Sequence, residues 1–254
     1  MNMKRINYSK LSAAALATAL AAAAACALAD FPRPQPLVQA AAENPQAPAE
    51  RVAAIKRSFA ESQARLRQYE WVETTVTSLK GEEKARVLKR CYYGAEGGVQ
   101  KIPLAAPPEA KPARGIRGRI VEKKKEELSD YMKEAAELVH SYLPPDPGLI
   151  QRAKDSGNTS INIIEPGKRA RVNFSNYLKA GDLLSVEIDL AVNKILGLSV
   201  ASNLGSEKDE VTLDVRFEAF PDGTIYTSQS TLFAKAKKVS VVVENSGYRR
   251  LEVR

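Results

Sequence analysis

The pattern of apolar and polar positions predicts a strand-rich chain. Apolar residues occupy every second position over 184–192 and again over 211–219, with polar residues between most of them. Period-two alternation is typical of antiparallel strands that bury one face and expose the other. Further strands are predicted over 69–79, 85–93 and 99–104, with turns at 80–83 and 94–98.

Other segments show apolar residues three and four positions apart, which predicts amphipathic helices. One helix is predicted over 49–68, a long one over 120–142 that ends before Pro144, and a short one over 147–155. The long helix carries an apolar stripe formed by Leu128, Tyr131, Met132, Ala135, Leu138, Val139 and Tyr142.

These elements predict an α+β fold over 49–254 as a single domain. A mainly antiparallel sheet of about eight or more strands curls, and amphipathic helices cover its apolar face, giving a half-barrel. Alternation does not tell whether the covered space is a solid core or a cavity. The candidate ligand-binding residues on this face and its covering helix are Val186, Ile188, Leu190, Val215, Phe217 and Leu138.

The N-terminus has the organisation of a bacterial export signal. Lys4, Arg5 and Lys10 precede or flank an Ala- and Leu-rich run, and a small-x-small site at 27–29 follows. We expect cleavage before Asp30 and a periplasmic or secreted protein with no transmembrane segment in the mature chain. Acylation of Cys26, in a loose lipobox, is the alternative. The Pro-rich stretch 30–48 is predicted to be a tether.

Much of the positive charge belongs to the signal. Removal of 1–29 lowers Lys plus Arg from 38 to 35 against 30 acidic residues, so the formal net charge falls from +8 to +5. No nucleic-acid partner is expected. One basic segment remains, with Lys111 and Lys125 flanking the candidate contacts for an anionic envelope partner, Arg114, Arg117, Arg119, Lys123 and Lys124. The alternative is a solvated charge run with i,i+4 pairs.

The mature chain offers little for catalysis. It holds one cysteine, Cys91, and one histidine, His140, and has no G-x-S-x-G, S-x-x-K or P-loop sequence. Glu187 and Asp189 share one strand face, but their place in a clean alternation indicates a solvated surface. We therefore expect no disulfide, no metal site, no cofactor and no enzymatic activity.

The order of elements over roughly 49–254 resembles that of the LolA/LolB-like periplasmic lipoprotein carriers. The closest local likeness is Tyr-Tyr-Gly-Ala-Glu-Gly-Gly at 92–98, where Glu96 stands in place of the usual Asp. The resemblance implies an open barrel plugged by helices that binds a lipid or lipoprotein. Segments 71–83 and 239–250 also resemble uncharacterised exported bacterial proteins.

Two functions remain open from the sequence. The first is a non-catalytic binder of an apolar or lipid-like ligand in the half-barrel. The alternative is a structural or interaction module of the periplasm that contacts anionic envelope partners through its basic loop.

Overall fold

A computed structural model describes residues 48–104 and 115–251. The signal sequence, nearly all of the tether and Arg114 lie outside these residues. The three helices are α1 (Pro48–Leu66), α2 (Gly115–His140) and α3 (Pro147–Asp155). The strands are β1 (Tyr69–Leu79), β2 (Glu82–Tyr93), β3 (Val99–Pro103), β4 (Thr159–Glu165), β5 (Arg169–Ser175), β6 (Leu183–Asp189), β7 (Lys194–Asn203), β8 (Glu210–Ala219), β9 (Ile225–Ala234) and β10 (Val239–Arg250).

The ten strands form one open antiparallel sheet in the order β3-β2-β1-β10-β9-β8-β7-β6-β5-β4. Strands that are neighbours in the sheet are also consecutive in the chain, with one exception. The exception is β1 with β10, where Val76 lies opposite Val242. The predicted α+β fold, a curved antiparallel half-barrel with helices on its apolar face, is confirmed. We call the helix-covered side the concave face and the other side the outer face.

The core lies between the concave face and the helices. The described helices pack mainly over β5 and β7 to β9. Phe59 of α1 meets Phe217 of β8 edge to face, with ring centroids 6.1 Å apart. Met132, Ala135 and Val139 of α2 are buried in the same cluster. This burial confirms that the apolar stripe of α2 covers the sheet. Each large apolar side chain buried there stabilises the fold by about 1.5–3 kcal/mol.

Helix α3 has the bounds that its sequence predicts, and local signals fix its start. The Asp146 carboxylate caps the helix by accepting hydrogen bonds from the backbone N–H groups of Gly148 and Leu149, at 2.6 and 3.1 Å. Pro147 occupies the first turn, where its missing N–H costs nothing. Ile150 and Ala153 are buried against the sheet.

The strand predicted from the alternation over 184–192 extends too far at its C-terminal end. Strand β6 ends at Asp189, whose carboxylate accepts hydrogen bonds from the backbone N–H groups of Ala191 and Val192. This closes a turn in place of three further strand residues. As a result Val192 is 57% exposed, and Leu190 packs only at the margin of the core.

Two other predicted boundaries are also wrong. Helix α2 begins at Gly115, five residues before its predicted start at 120, and so includes Gly115 and Gly118. Glycine costs a helix about 1 kcal/mol per residue relative to alanine, which a long helix rich in Lys and Glu tolerates. The turn after β1 is shorter than predicted, since β2 begins at Glu82. Lys80 and Gly81 both have positive φ and complete the reversal alone.

Candidate functional site

The predicted ligand-binding residues mostly meet inside a filled core. Val186, Ile188, Val215 and Phe217 are between 1% and 5% exposed to a water-sized probe. Leu138 and Leu190 are half-buried and pack against the same cluster. Side chains so fully enclosed border no space of ligand size. A ligand therefore reaches them only if a helix moves.

The C-terminal end of α2 is fixed by a buried polar network. The hydroxyl of Tyr142 donates a hydrogen bond to the Asp182 carboxylate at 2.6 Å and lies 2.8 Å from the Ser202 hydroxyl. Asp182 also accepts the backbone N–H groups of Tyr177, Leu178 and Lys179, at 2.6 to 2.9 Å. Burial and the Asp182 carboxylate both raise the pKa of Tyr142 well above its ordinary range. The phenol therefore remains a donor.

Helix α2 crosses the strands near one end of the sheet. Tyr142 contacts the start of β6 and the end of β7. Eleven residues earlier, Tyr131 donates to Asp209 in the β7–β8 connection, and the Lys237 ammonium of the β9–β10 turn lies 5.7 Å from its ring centroid. From Tyr131 to its end at His140 the helix advances about 14 Å at 1.5 Å per residue, about three strand spacings. Its N-terminal half therefore points towards β10 and β1.

The inward stripe of α2 loses its cover in that N-terminal half. Spacings of three and four residues place Ile120 and Lys124 in line with Leu128, Tyr131 and Ala135. Ala135 is fully buried and Leu128 is half-buried, whereas Ile120 is 51% exposed and Lys124 is exposed. Part of an apolar stripe is thus left without a partner among the described residues.

The concave face is also uncovered beside β10. The odd-numbered residues of β1 share the face of the buried valines of β10, since Thr75 lies opposite Val243 and Leu79 opposite Val239. On β2 the same face carries Val87, opposite Thr75. Val87 is 39% exposed, and Thr75, Thr77 and Leu79 are half-exposed. We call Thr75, Thr77, Leu79 and Val87 the open wall.

Positive charge borders the open wall at the strand ends. The backbone N–H of Lys80 donates to the Lys238 carbonyl at 2.7 Å, which holds the β1–β2 and β9–β10 turns side by side. Among the predicted basic contacts, Arg119, Lys123 and Lys124 are exposed along the N-terminal half of α2. Arg117 lies in the same helix, and Arg114 lies outside the described residues.

The reactive side chains occupy structural positions. Burial is the main cause that raises the pKa of the Cys91 thiol to about 11, which keeps it protonated and unreactive near neutral pH. Glu187 binds Arg169 and Arg171 on the outer face. Burial raises its pKa, but the two arginines outweigh burial and hold it below its ordinary range. No cluster of metal-binding side chains occurs among residues 48–104 and 115–251.

A second apolar cluster closes the opposite end of the sheet. Its rings stack between strands, with the Phe220 and Tyr226 centroids 4.4 Å apart and those of Trp71 and Tyr248 5.5 Å apart. Beside it Lys101 and Glu73 form an ion pair on β3 and β1, and both side chains are less than one-tenth exposed. Each of these two buried charges therefore has its partner within the protein.

The sequence singled out the stripe of α2 but not the open wall. The wall residues of β1 are Thr, Thr and Leu at alternate positions, a signal that is weak because threonine counts as polar, and Val87 lies on the next strand. Their place on the concave face depends on the pairing of β1 with β10, which joins segments far apart in the chain.

No protein-family model matches this chain, and no curated protein matches it. Three solved structures are similar. A LolA superfamily protein, NE2245 from Nitrosomonas europaea, is 8% identical, with 78% of this chain and 94% of that chain covered at a TM-score of 0.33. A putative outer membrane lipoprotein-sorting protein domain from Vibrio parahaemolyticus is 11% identical, with 78% and 92% covered and a TM-score of 0.34.

A DUF1329 family protein from Desulfovibrio piger is 9% identical, with 79% of this chain and 95% of that chain covered at a TM-score of 0.30. The likeness to these structures concerns the fold alone. At these scores it extends to neither ligand nor activity. None of the described helices is long and apolar enough to cross a membrane.

Proposed function

We propose that the protein is an exported, non-catalytic binding protein that holds an apolar or lipid-like ligand on the concave face of its half-barrel. The ligand lies between the open wall and the N-terminal half of α2. One observation carries this proposal: two partly apolar surfaces, on β1–β2 and on α2, are uncovered beside a core that is otherwise filled.

The position of this space makes binding possible without unfolding. The C-terminal half of α2 is held by Tyr142 and by its buried stripe, so opening that half would break a filled core. The N-terminal half makes no such contacts before Leu128 among the described side chains. A ligand can therefore bury Ile120, Leu79 and Val87 while the core stays intact.

The surroundings favour an amphiphile over a plain hydrocarbon. Lys124 lies on the same stripe as Ile120, one helical turn further along α2, and is exposed. An ammonium group beside an apolar surface attracts a ligand with an anionic or strongly polar head. The apolar part gains roughly 25 cal/mol for each Å² that it removes from water.

The experiment uses two adjacent residues of β2 that face opposite sides of the sheet. Val87, on the open wall, is 39% exposed, and Leu88, on the outer face, is 37% exposed. We expect Val87→Asp to weaken binding of a fluorescent fatty-acid probe by about tenfold or more, because each factor of ten corresponds to about 1.4 kcal/mol. Leu88→Asp serves as the matched control and should bind as the wild type does.

Circular dichroism and thermal unfolding establish that both variants are folded. Equal probe affinity in the two variants, or no saturable binding by the delipidated wild type, would contradict the proposal.

A second candidate function is contact with an anionic envelope surface through α2. It is favoured by the exposure of Arg119, Lys123 and Lys124 on the N-terminal half of the helix. Basic side chains near an anionic membrane contribute about 1 kcal/mol each. Lys123→Glu/Lys124→Glu should abolish co-sedimentation with anionic vesicles, whereas Lys133→Glu, in the packed half, should not. Equal sedimentation of both variants would remove this candidate.

A further inference from the structure

The outer face carries a depression of about 690 Å³ that the proposed function does not use. Its floor is a row across three strands, because Ser78 of β1 lies opposite Ser240 of β10, and Ser240 lies opposite Phe233 of β9. These side chains point away from the core, since Leu79, Val239 and Leu232 face the concave side. Lys80, Lys235 and Lys238 complete the rim.

The lysines of this rim come from two turns that the fold holds together. Lys80 follows β1 and Lys238 precedes β10, and the backbone hydrogen bond between them is 2.7 Å long. Lys235 pairs with Glu210 at 2.6 Å. The nearby acids Glu82 and Glu83 pair with Lys84 and Arg86. Within the part of the chain described, Lys80 and Lys238 have no carboxylate at ion-pair distance.

The geometry points to a binding site for a phosphate ester with an apolar body. The phosphate would lie between the Lys80 and Lys238 ammonium groups and accept hydrogen bonds from the Ser78 and Ser240 hydroxyls. The apolar body would cover the ring of Phe233, which is 38% exposed. Ion pairing combined with hydrogen bonding is the usual chemistry of phosphate recognition. An aromatic floor next to it selects an ester over free phosphate.

Each part of the site is tested by isothermal titration with hexyl phosphate and with inorganic phosphate. Lys80→Asn/Lys238→Asn removes both charges, and asparagine tolerates the positive φ of these two positions. We expect this variant to lose about tenfold or more in affinity for hexyl phosphate. Lys56→Gln/Lys133→Gln, with two exposed lysines of α1 and α2, serves as the matched control and should bind normally.

Phe233→Ser separates the apolar contact from the charge. It should remove the preference for hexyl phosphate over inorganic phosphate while leaving the weaker inorganic binding unchanged. Added NaCl should weaken both ligands, because exposed ion pairs are screened.

The site is independent of the open wall, and Val87→Asp distinguishes the two. Hexyl phosphate should bind equally well to wild type and Val87→Asp. Loss of binding in Val87→Asp would place the ligand in the concave space and overturn the inference, as would unchanged affinity in Lys80→Asn/Lys238→Asn or the absence of saturable binding. Failure of the fatty-acid experiment leaves these outcomes unaffected.

Discussion

At the residue scale, Tyr142 joins the α2 helix to the sheet. Its hydroxyl is the buried donor to Asp182, which already accepts three backbone N–H groups. The sequence placed Tyr142 on the apolar stripe of a helix that extends to residue 142, but α2 ends at His140, and Tyr142 is buried in the turn that follows. Its polar partners are 40 and 60 residues away in the chain. No local pattern reveals such a contact.

Replacing Tyr142 by Phe should lower the free energy of unfolding by about 1–3 kcal/mol, because Asp182 is left with an unmet acceptor in a buried position. Chemical denaturation monitored by circular dichroism measures this difference. Tyr92→Phe is the control, since Tyr92 lies half-buried on β2 outside this network. Equal stability of Tyr142→Phe and wild type would show that the network does not hold the helix.

The Cys91 thiol gives a prediction about pH. Its pKa is raised to about 11 from an ordinary value near 9, mainly by burial. The folded state therefore keeps its proton where the unfolded state loses it. The contribution of the protonated Cys91 thiol to the free energy of unfolding is complete below about pH 9 and is lost as the pH rises towards 11.

Ellman's reagent should accordingly react with the native protein very slowly at pH 8 and promptly in urea. The rate of this reaction is measured instead of the stability at alkaline pH, because many lysines and tyrosines also titrate in the alkaline range. Fast native reaction would mean that Cys91 is exposed and not part of the core.

At the element scale, local sequence signals defined most helices and strands. Alternation found β8, and Asp146 with Pro147 fixed the start of α3. The end of β6 was missed because Asp189 has the same polar character in a strand and in a turn, and only its hydrogen bonds to Ala191 and Val192 distinguish the two.

The candidate site was predictable only in part. Alternation shows that Val186 and Val215 are buried, but it does not show which group buries them. In the structure helices and neighbouring strands do so. The open wall depends on the pairing of β1 with β10, which the sequence pattern alone does not indicate.

Two valines test whether the filled core carries the stability of the sheet. Val215→Asp places a carboxylate where 2% of the residue is exposed, and Val192→Asp places one in a turn where 57% is exposed. The buried charge has no partner and costs several kcal/mol, enough to unfold the domain in one step. The exposed change should alter stability by about 0.5 kcal/mol or less.

Thermal denaturation compares the two variants. A cooperative transition near the wild-type temperature for Val215→Asp would contradict the packing described for β8 and the helices.

At the scale of the whole molecule, the structure combines a filled half and an open half of one curved sheet. Helices cover β5 and β7 to β9, while the concave sides of β1 and β2 stay partly exposed. The N-terminal half of α2 extends towards the open half with Ile120 and Lys124 uncovered. We infer that binding uses the open half, and that the filled half supplies stability.

Export is a prediction about the whole chain. The order of Lys4 and Arg5, the apolar run and the small-x-small site at 27–29 predicts a mature protein that begins at Asp30. Intact-mass analysis of the protein from the periplasm of an expressing bacterium should show the loss of residues 1–29. A mass that begins at Cys26 with added acyl chains would establish a lipoprotein instead.

The most direct test of the central claim measures where a lipid chain lies on the sheet. Trp71 is the only tryptophan, so Trp71→Phe provides a background in which one new tryptophan reports its surroundings. Val87→Trp places it on the open wall and Leu88→Trp on the outer face. Brominated fatty acid, which quenches tryptophan on contact, should quench Val87→Trp saturably and leave Leu88→Trp unchanged. Equal quenching at both positions, or quenching only at Leu88→Trp, would contradict ligand binding on the concave face.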